Sequence, residues 1–340
     1  MNISIKLFLL LVSLWMPSLL LAKVEESITP LLDHYHAIAN IETKKYSKNQ
    51  HKAITDALSH KGSIIRVVSY QMLFNRYDEI LPSHLRWKER LPRIVQLLKE
   101  MNADIICSQQ LYPKQVTDLL EQVGKEYEFI GNLPEEEEKD PDEVHGVFYR
   151  KSRFTCKEAQ ACTIRDAEEI LGPEAQTFTE VHLFDKITGK EFAVLSVHAP
   201  FGSPDAREYM ARFLVGHVEP ICEQKACLVA GDFNTFMPRV DDSFLPYYDG
   251  NYILKILTSK NLRNSRDTAL IGTLGPLATY TNKEGSLLPF QGKGTPGVFL
   301  DHIFAGGNMI VLLHAVQPAL VDGFFASDHM PVIADCVNLH

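Results

Sequence analysis

Basic residues are in the minority: 34 Lys and Arg stand against 43 Asp and Glu in 340 residues, a formal net charge of -9. Non-specific binding along nucleic acid rests on Lys and Arg neutralising phosphates, so this balance argues against a general polynucleotide binder. It leaves room for a locally basic groove. Long apolar runs are missing too. The stretch at residues 7–22, broken by Ser13, Pro17 and Ser18, falls short of the about 20 apolar residues that span a bilayer. The closely paired cysteines of a zinc module are absent. So are internal repeats, low-complexity linkers, and any aromatic run that would stack bases.

The amino terminus carries the first positive signal. Lys6 is the only charge before Lys23, and the apolar stretch closes on the small residue Ala22. This reads as a secretory signal peptide over residues 1–22, although Leu20 is a poor residue three before the cut. Left uncleaved, it would be an anchor. No Cys lies in it, which argues against a lipoprotein leader. The expectation is an exported protein, periplasmic or extracellular. Cys107, Cys156, Cys162, Cys222, Cys227 and Cys336 form an even set that suits an oxidising compartment. Cys156/Cys162 and Cys222/Cys227 are near enough in sequence for local bridges; otherwise the thiols pack as small hydrophobes.

Residues 23–61 read as an N-terminal helical extension, with Ile28, Leu31, Leu32, Tyr35, Ile38 and Ile41 at roughly helical spacing. One domain is expected over residues 62–340, where strands and helices interleave. Strands are expected at 64–70, 104–108, 145–150, 178–184, 191–198, 226–232, 298–304, 309–315 and 331–336. A helix carries Trp87, Leu91, Ile94, Leu98 and Met101 on one stripe, with Pro92 in its first turn or kinking it. Arg86, Lys88, Arg90 and Arg93 then read as a basic, solvated face, with contact to a polyanion as the alternative. Ser203 and Pro204 open a second helix as cap and first residue. Residues 135–143 are almost all acidic or Pro and read as a solvated loop, with no calcium-ligand spacing. Some neighbouring strands are joined by turns and others by helices, so the expectation is α/β, two stacked mixed sheets flanked by helices.

Four segments place ionisable residues at the ends of apolar strands. They are Ser196-Val197-His198-Ala199-Pro200, Gly231-Asp232-Phe233-Asn234-Thr235, Leu300-Asp301-His302-Ile303-Phe304 and Ser327-Asp328-His329-Met330-Pro331. Any one alone reads as a structural polar residue; together they supply acids, bases and oxygen ligands for a hard cation.

In order and spacing these segments resemble the endonuclease/exonuclease/phosphatase superfamily, from about Ile64 to the C-terminus. Arg86-Trp87 with Arg90, Asp104-Ile105-Ile106-Cys107-Ser108-Gln109-Gln110, His145-Gly146-Val147-Phe148-Tyr149-Arg150 and Thr279-Tyr280 fit the same order. The resemblance implies a four-layer α/β sandwich that hydrolyses phosphate esters with Mg2+, or with Mn2+ or Ca2+. It implies that Asp232 aligns or deprotonates water and that Asn234 holds water and phosphate. His329, oriented by Asp301, and His198 would contact phosphate or the leaving oxygen, and Asp328 would join the metal shell.

Two positions depart from that family. Ser69-Tyr70-Gln71 replaces a Tyr-Asn pair, and Gln109-Gln110 replaces Gln-Glu, whose Glu is the principal metal ligand. Gln71 keeps an amide to position substrate, and Gln110 keeps one oxygen while losing a charge, so metal binding is expected to be weak. The expected substrate is a phosphate ester in nucleic acid, a phospholipid head group or an inositol phosphate; no protein partner is implied. The competing reading is a non-catalytic protein that keeps the fold and binds a phosphate ligand.

Overall fold

The computed structural model describes residues 47–60, 62–133, 143–164, 177–201, 203–235, 252–276, 278–280 and 299–339. The expected signal peptide and the apolar positions 28–41 lie outside these residues, as do residues 135–142 of the acidic run.

Runs such as Ile64–Gln71 (β1) and Ala226–Asp232 (β8) are buried along nearly their whole length. A strand points successive side chains to opposite faces, so such runs need cover on both sides. Two mixed sheets provide it. The larger adds β2 (Ile105–Leu111), β3 (Tyr127–Gly131), β4 (Val144–Arg150), β10 (Gly272–Leu274), β12 (Met309–Val316) and β15 (Val332–Asn338), in the order β10-β12-β15-β1-β2-β4-β3. The other joins β5 (Phe154–Thr163), β6 (Thr177–Asp185), β7 (Lys190–His198), β9 (Arg263–Asn264) and β11 (Asp301–Gly306), in the order β5-β6-β7-β8-β11-β9. Leu320–Val321 and Phe324–Phe325 make a separate small hairpin.

The parallel pairs β1–β2 and β7–β8 need crossovers, which the helices Trp87–Met101 and Pro204–Gln224 supply. Phe192, Val194, Leu228 and Ala230 join the core shared with the larger sheet. The alternate residues Ala193, Leu195, Val197 and Val229 pack under the helix Pro204–Gln224, against Met210, Leu214 and Val218. The result is a sandwich of two sheets flanked by helices. Ser203 caps the helix as its sequence implies, its Oγ accepting from Ala206 N at 3.2 Å. The helix Lys48–Ser59 docks through Ile54 and Leu58 onto Leu312 and Val337.

One reading needs correction and two open alternatives are decided. Arg90 is not on a solvated face: it is 1% exposed and donates to the carbonyls of Met72, Leu73 and Leu85. Those carbonyls end strands and turns without ladder partners, so a buried guanidinium replaces the missing donors. Pro92 lies in the second turn of its helix, leaving the Lys88 carbonyl without its intrahelical donor. Cys222 and Cys227 form a disulfide, whereas Cys156 and Cys162 are both free. The latter two sit six residues apart on one extended strand, which separates them by about 20 Å at ~3.3 Å per residue.

Candidate active site

Three strands of the six-stranded sheet end in register. His198 of β7 lies beside Asp232 of β8, and Asp232 lies opposite Asp301 of β11. Paired positions share a sheet face, so these three side chains emerge together. Past Asp232 the chain turns through Asn234, at φ 47, whose N donates to Asp232 Oδ1 at 2.7 Å. Asn tolerates this left-handed conformation better than most residues. Its side-chain Nδ2 donates to the Ala199 carbonyl at 2.8 Å, which ties the β7 and β8 ends together.

His329 arrives from the segment leading into β15 of the other sheet. Met330 N donates to Thr279 O at 2.6 Å, and Thr279 Oγ1 accepts from Leu300 N and Asp301 N, so one threonine sets both the His329 and Asp301 segments. The Tyr280 ring packs edge-on against the His329 imidazole.

The ionisable groups form a repeated arrangement. His329 Nδ1 is 2.8 Å from Asp301 Oδ2, and His198 Nδ1 is 2.8 Å from Glu143 Oε1. Both rings turn Nε2 toward Asp232 Oδ2, at 3.9 Å from His329 and 3.6 Å from His198. All five groups are buried. Burial alone would lower each imidazole, but the carboxylates outweigh it. Asp301 raises His329 to about 10, and Glu143 raises His198 to about 9. Asp232 is raised to about 6, first by burial and then by Asp301, with both imidazoles working against the shift. Burial would raise Glu143 as well, yet His198 and His145 hold it below the usual carboxylate range.

Glu143 is the residue that sequence reasoning missed. Its side chain is 7% exposed, and it also accepts from Gln110 N at 2.8 Å and lies 3.1 Å from His145 Nδ1. The solvated-loop reading therefore fails at its last residue, because Glu143 directly precedes β4 and is carried into the sandwich with it. The one available signal was its position next to Val144-His145, the start of an apolar strand.

The departing glutamines lie at neighbouring strand ends. Gln71 closes β1 and pairs with Gln109, while Gln110 stands in an irregularity of β2 at φ 54. Gln71 Oε1, Gln110 Oε1 and Asp301 Oδ1 are buried without a hydrogen-bond partner among the described residues. Ser327 Oγ lies 2.7 Å from the Gln71 carbonyl and 3.2 Å from Asp328 Oδ1, so Asp328 adjoins the β1 end. Buried oxygens lacking donors suit a hard cation, which takes carbonyl, carboxylate and water oxygens. Two groups in the cleft offer metal-ligand atoms within 4.8 Å of one another, Asp232/Asp301/His329 and Glu143/His145/His198.

The model of the endonuclease/exonuclease/phosphatase family matches residues 73–329. Among solved structures, an endonuclease/exonuclease/phosphatase from Bacteroides vulgatus superposes with a TM-score of 0.65 at 23% identity, covering 81% of this chain and 99% of that one. A mannosyl-6-phosphatase of Bacteroides thetaiotaomicron gives 0.63 at 22% identity, covering 80% and 99%. The human Nocturnin catalytic domain with bound sulfate gives 0.55 at 19%, covering 81% and 93%. A search of curated proteins finds no significant sequence match. The family match spans most of the chain and includes the ends of β2, β7 and β8 and the Asp301 and His329 segments, so this protein belongs to the endonuclease/exonuclease/phosphatase family and has its phosphoesterase fold.

Proposed function

We propose that this chain is an exported, divalent-metal-dependent phosphoesterase acting on a small phosphate ester. One observation carries the catalytic reading: a buried carboxylate, Asp232, sits between two imidazoles that each have a carboxylate on the far nitrogen. A carboxyl raised to about 6 is a competent base near neutral pH, so Asp232 takes the proton of the attacking water. His329 and His198 are cationic there and meet the charge that gathers on the phosphate oxygens. One of them protonates the leaving oxygen. Asn234 holds water or phosphate beside Asp232 without adding charge.

Gln71, Gln110, Asp301 and Asp328 would hold the cation through oxygen. Mg2+, or Mn2+ or Ca2+ in its place, would supply positive charge against the phosphate. Gln110 contributes a neutral oxygen, and Glu143 beside it is engaged by two imidazoles, so the affinity is low.

The preference for a small ester over a polymer rests on charge. The chain carries a net charge of -9, and Arg66, Arg90, Arg153 and Arg207 are buried within the fold. Export is supported by the residues 1–22 and by the Cys222–Cys227 disulfide. The test is a metal-by-substrate panel on protein lacking residues 1–22, covering sugar and inositol phosphates, phospholipid head groups, bis-p-nitrophenyl phosphate, RNA and plasmid DNA. Turnover of small esters is expected to exceed that of polymers. Cleavage of nucleic acid alone would overturn the small-ester reading. Phosphate binding without hydrolysis under any metal would favour a non-catalytic binding protein, the reading that the neutral Gln110 supports.

A further inference from the structure

A second cluster of ligand-type side chains lies on the opposite face of the six-stranded sheet. Glu180 of β6 pairs with Leu195 of β7, which points toward the helix Pro204–Gln224, while the neighbouring Ser196 points toward the larger sheet. Alternation therefore places Glu180 on the helix side and His198 on the cleft side. Cys162 and Gln160 of β5 share the Glu180 face through the pairs Cys162–Phe178 and Gln160–Glu180. The helix lowers His217 onto it from above.

Glu180 is almost wholly buried, and four groups converge on its carboxylate. His217 Nε2 is 2.5 Å from Oε2, Cys162 Sγ is 3.7 Å from Oε2, and Gln160 Nε2 donates to Oε2 at 3.3 Å. His182 Nε2 is 2.5 Å from Oε1, and Lys225 Nζ lies 2.9 Å from His182 Nδ1. A lysine ammonium only donates, so His182 Nδ1 accepts and its Nε2 carries a proton toward Glu180. His182 thereby orients the carboxylate through one oxygen and leaves the other toward Cys162 and His217. One atom from each of Cys162, Glu180 and His217 falls within 4.8 Å of the others.

We propose that Cys162, Glu180 and His217 form a second metal site, selective for a borderline transition ion such as Zn2+, with His182 as its positioning residue. Sulfur, carboxylate oxygen and imidazole nitrogen are the donors that Zn2+ takes, whereas Mg2+ and Ca2+ take oxygen alone. Zn–ligand bonds of about 2.0–2.3 Å need donor atoms spaced by about 3–4 Å, which a slight opening of the Glu180–His217 contact provides. Three protein ligands leave a fourth position on the partly exposed His217 side. The ion would clamp the outer strands β5 and β6 to the crossover helix. The two functional proposals are independent, because nothing here uses the cleft.

The test is Co2+ and Zn2+ titration of the intact, chelator-treated protein, read by absorption and melting temperature rather than by hydrolysis. Co2+ bound at this site gives a thiolate charge-transfer band, which the Asp and His groups of the cleft cannot produce. The band is expected at one equivalent in the wild type and absent in Cys162→Ser, with Zn2+ raising the melting temperature more in the former than in the latter, where the cleft groups remain. His182→Ala is expected to weaken binding by about ten- to a hundredfold while keeping the band, as loss of a ligand-orienting group does. Circular dichroism of metal-free Cys162→Ser shows whether the variant folds; if it does not, Cys162→Ala and the His182→Ala affinity carry the test. Absence of the wild-type band, its persistence in a folded Cys162 variant, or equal Zn2+ stabilisation of both would overturn the proposal.

Discussion

Replacing Glu143 by Gln tests the least expected feature of the cleft with almost no change of shape. The carboxylate accepts from His198, approaches His145 and accepts from Gln110 N, at 2.8, 3.1 and 2.8 Å. It raises His198 from 6.5 to about 9 against the lowering effect of burial. At ~1.4 kcal/mol per pKa unit, holding the His198 proton is worth about 3 kcal/mol at neutral pH. A group raised in the folded state contributes fully below its unfolded value, and the contribution is lost as pH rises through the folded value. The wild type should therefore lose this stability between about pH 6.5 and 9. Glu143→Gln should lose most of it already at neutral pH and fall less steeply over that window, where His329, raised to about 10, still contributes. Its His198 should titrate well below 9, because burial lowers it and Asp232 is left as the carboxylate that raises it, and hydrolysis at pH 7 should fall by about a hundredfold if cationic His198 meets phosphate. Imidazole NMR titration with urea melts at several pH values measures both effects. An unchanged His198 midpoint in folded Glu143→Gln would refute the pairing.

Asp232→Ala and His329→Ala should each lower hydrolysis by about a hundred- to a thousandfold with folding intact, and near-full rates in either would remove it from the mechanism. Gln110→Glu adds the charge that the family resemblance implies there and should tighten Mg2+ binding by calorimetry and raise turnover; unchanged affinity would end the weakened-site reading. Arg90→Met removes the guanidinium donor from the Met72, Leu85 and Ala326 carbonyls and one of two side-chain donors from Leu73, which Gln115 Nε2 also serves, and should cost about 3–5 kcal/mol in urea unfolding. A loss near the ~0.5 kcal/mol of a surface change would mean that water replaces the guanidinium.

Much of the cleft was legible because its residues follow directly on apolar strands. Gly231-Asp232-Phe233-Asn234 ends β8, and Ser327-Asp328-His329 leads into β15, so local pattern located both. The family resemblance implied the Asp301–His329 pair, and the sheet register then brought Asp301 opposite Asp232.

The sequence by itself determined the long apolar strands, the start of the helix Pro204–Gln224 and the fold class, because each depends on neighbours within a few positions; it did not show β3, the mostly exposed β5 or the short strands β9 and β10, which lack a buried apolar run. Tertiary structure decided what charged residues do. Glu143 and Arg90 each belong to charged stretches that look solvated, since composition does not say which member of a run is carried inward. Glu143 enters with β4 and meets His198, 55 positions away. Arg90 turns inward to carbonyls left unpaired by the end of β1. Burial raises the energy of an unpaired charge, and only the assembled sheets supply its partner.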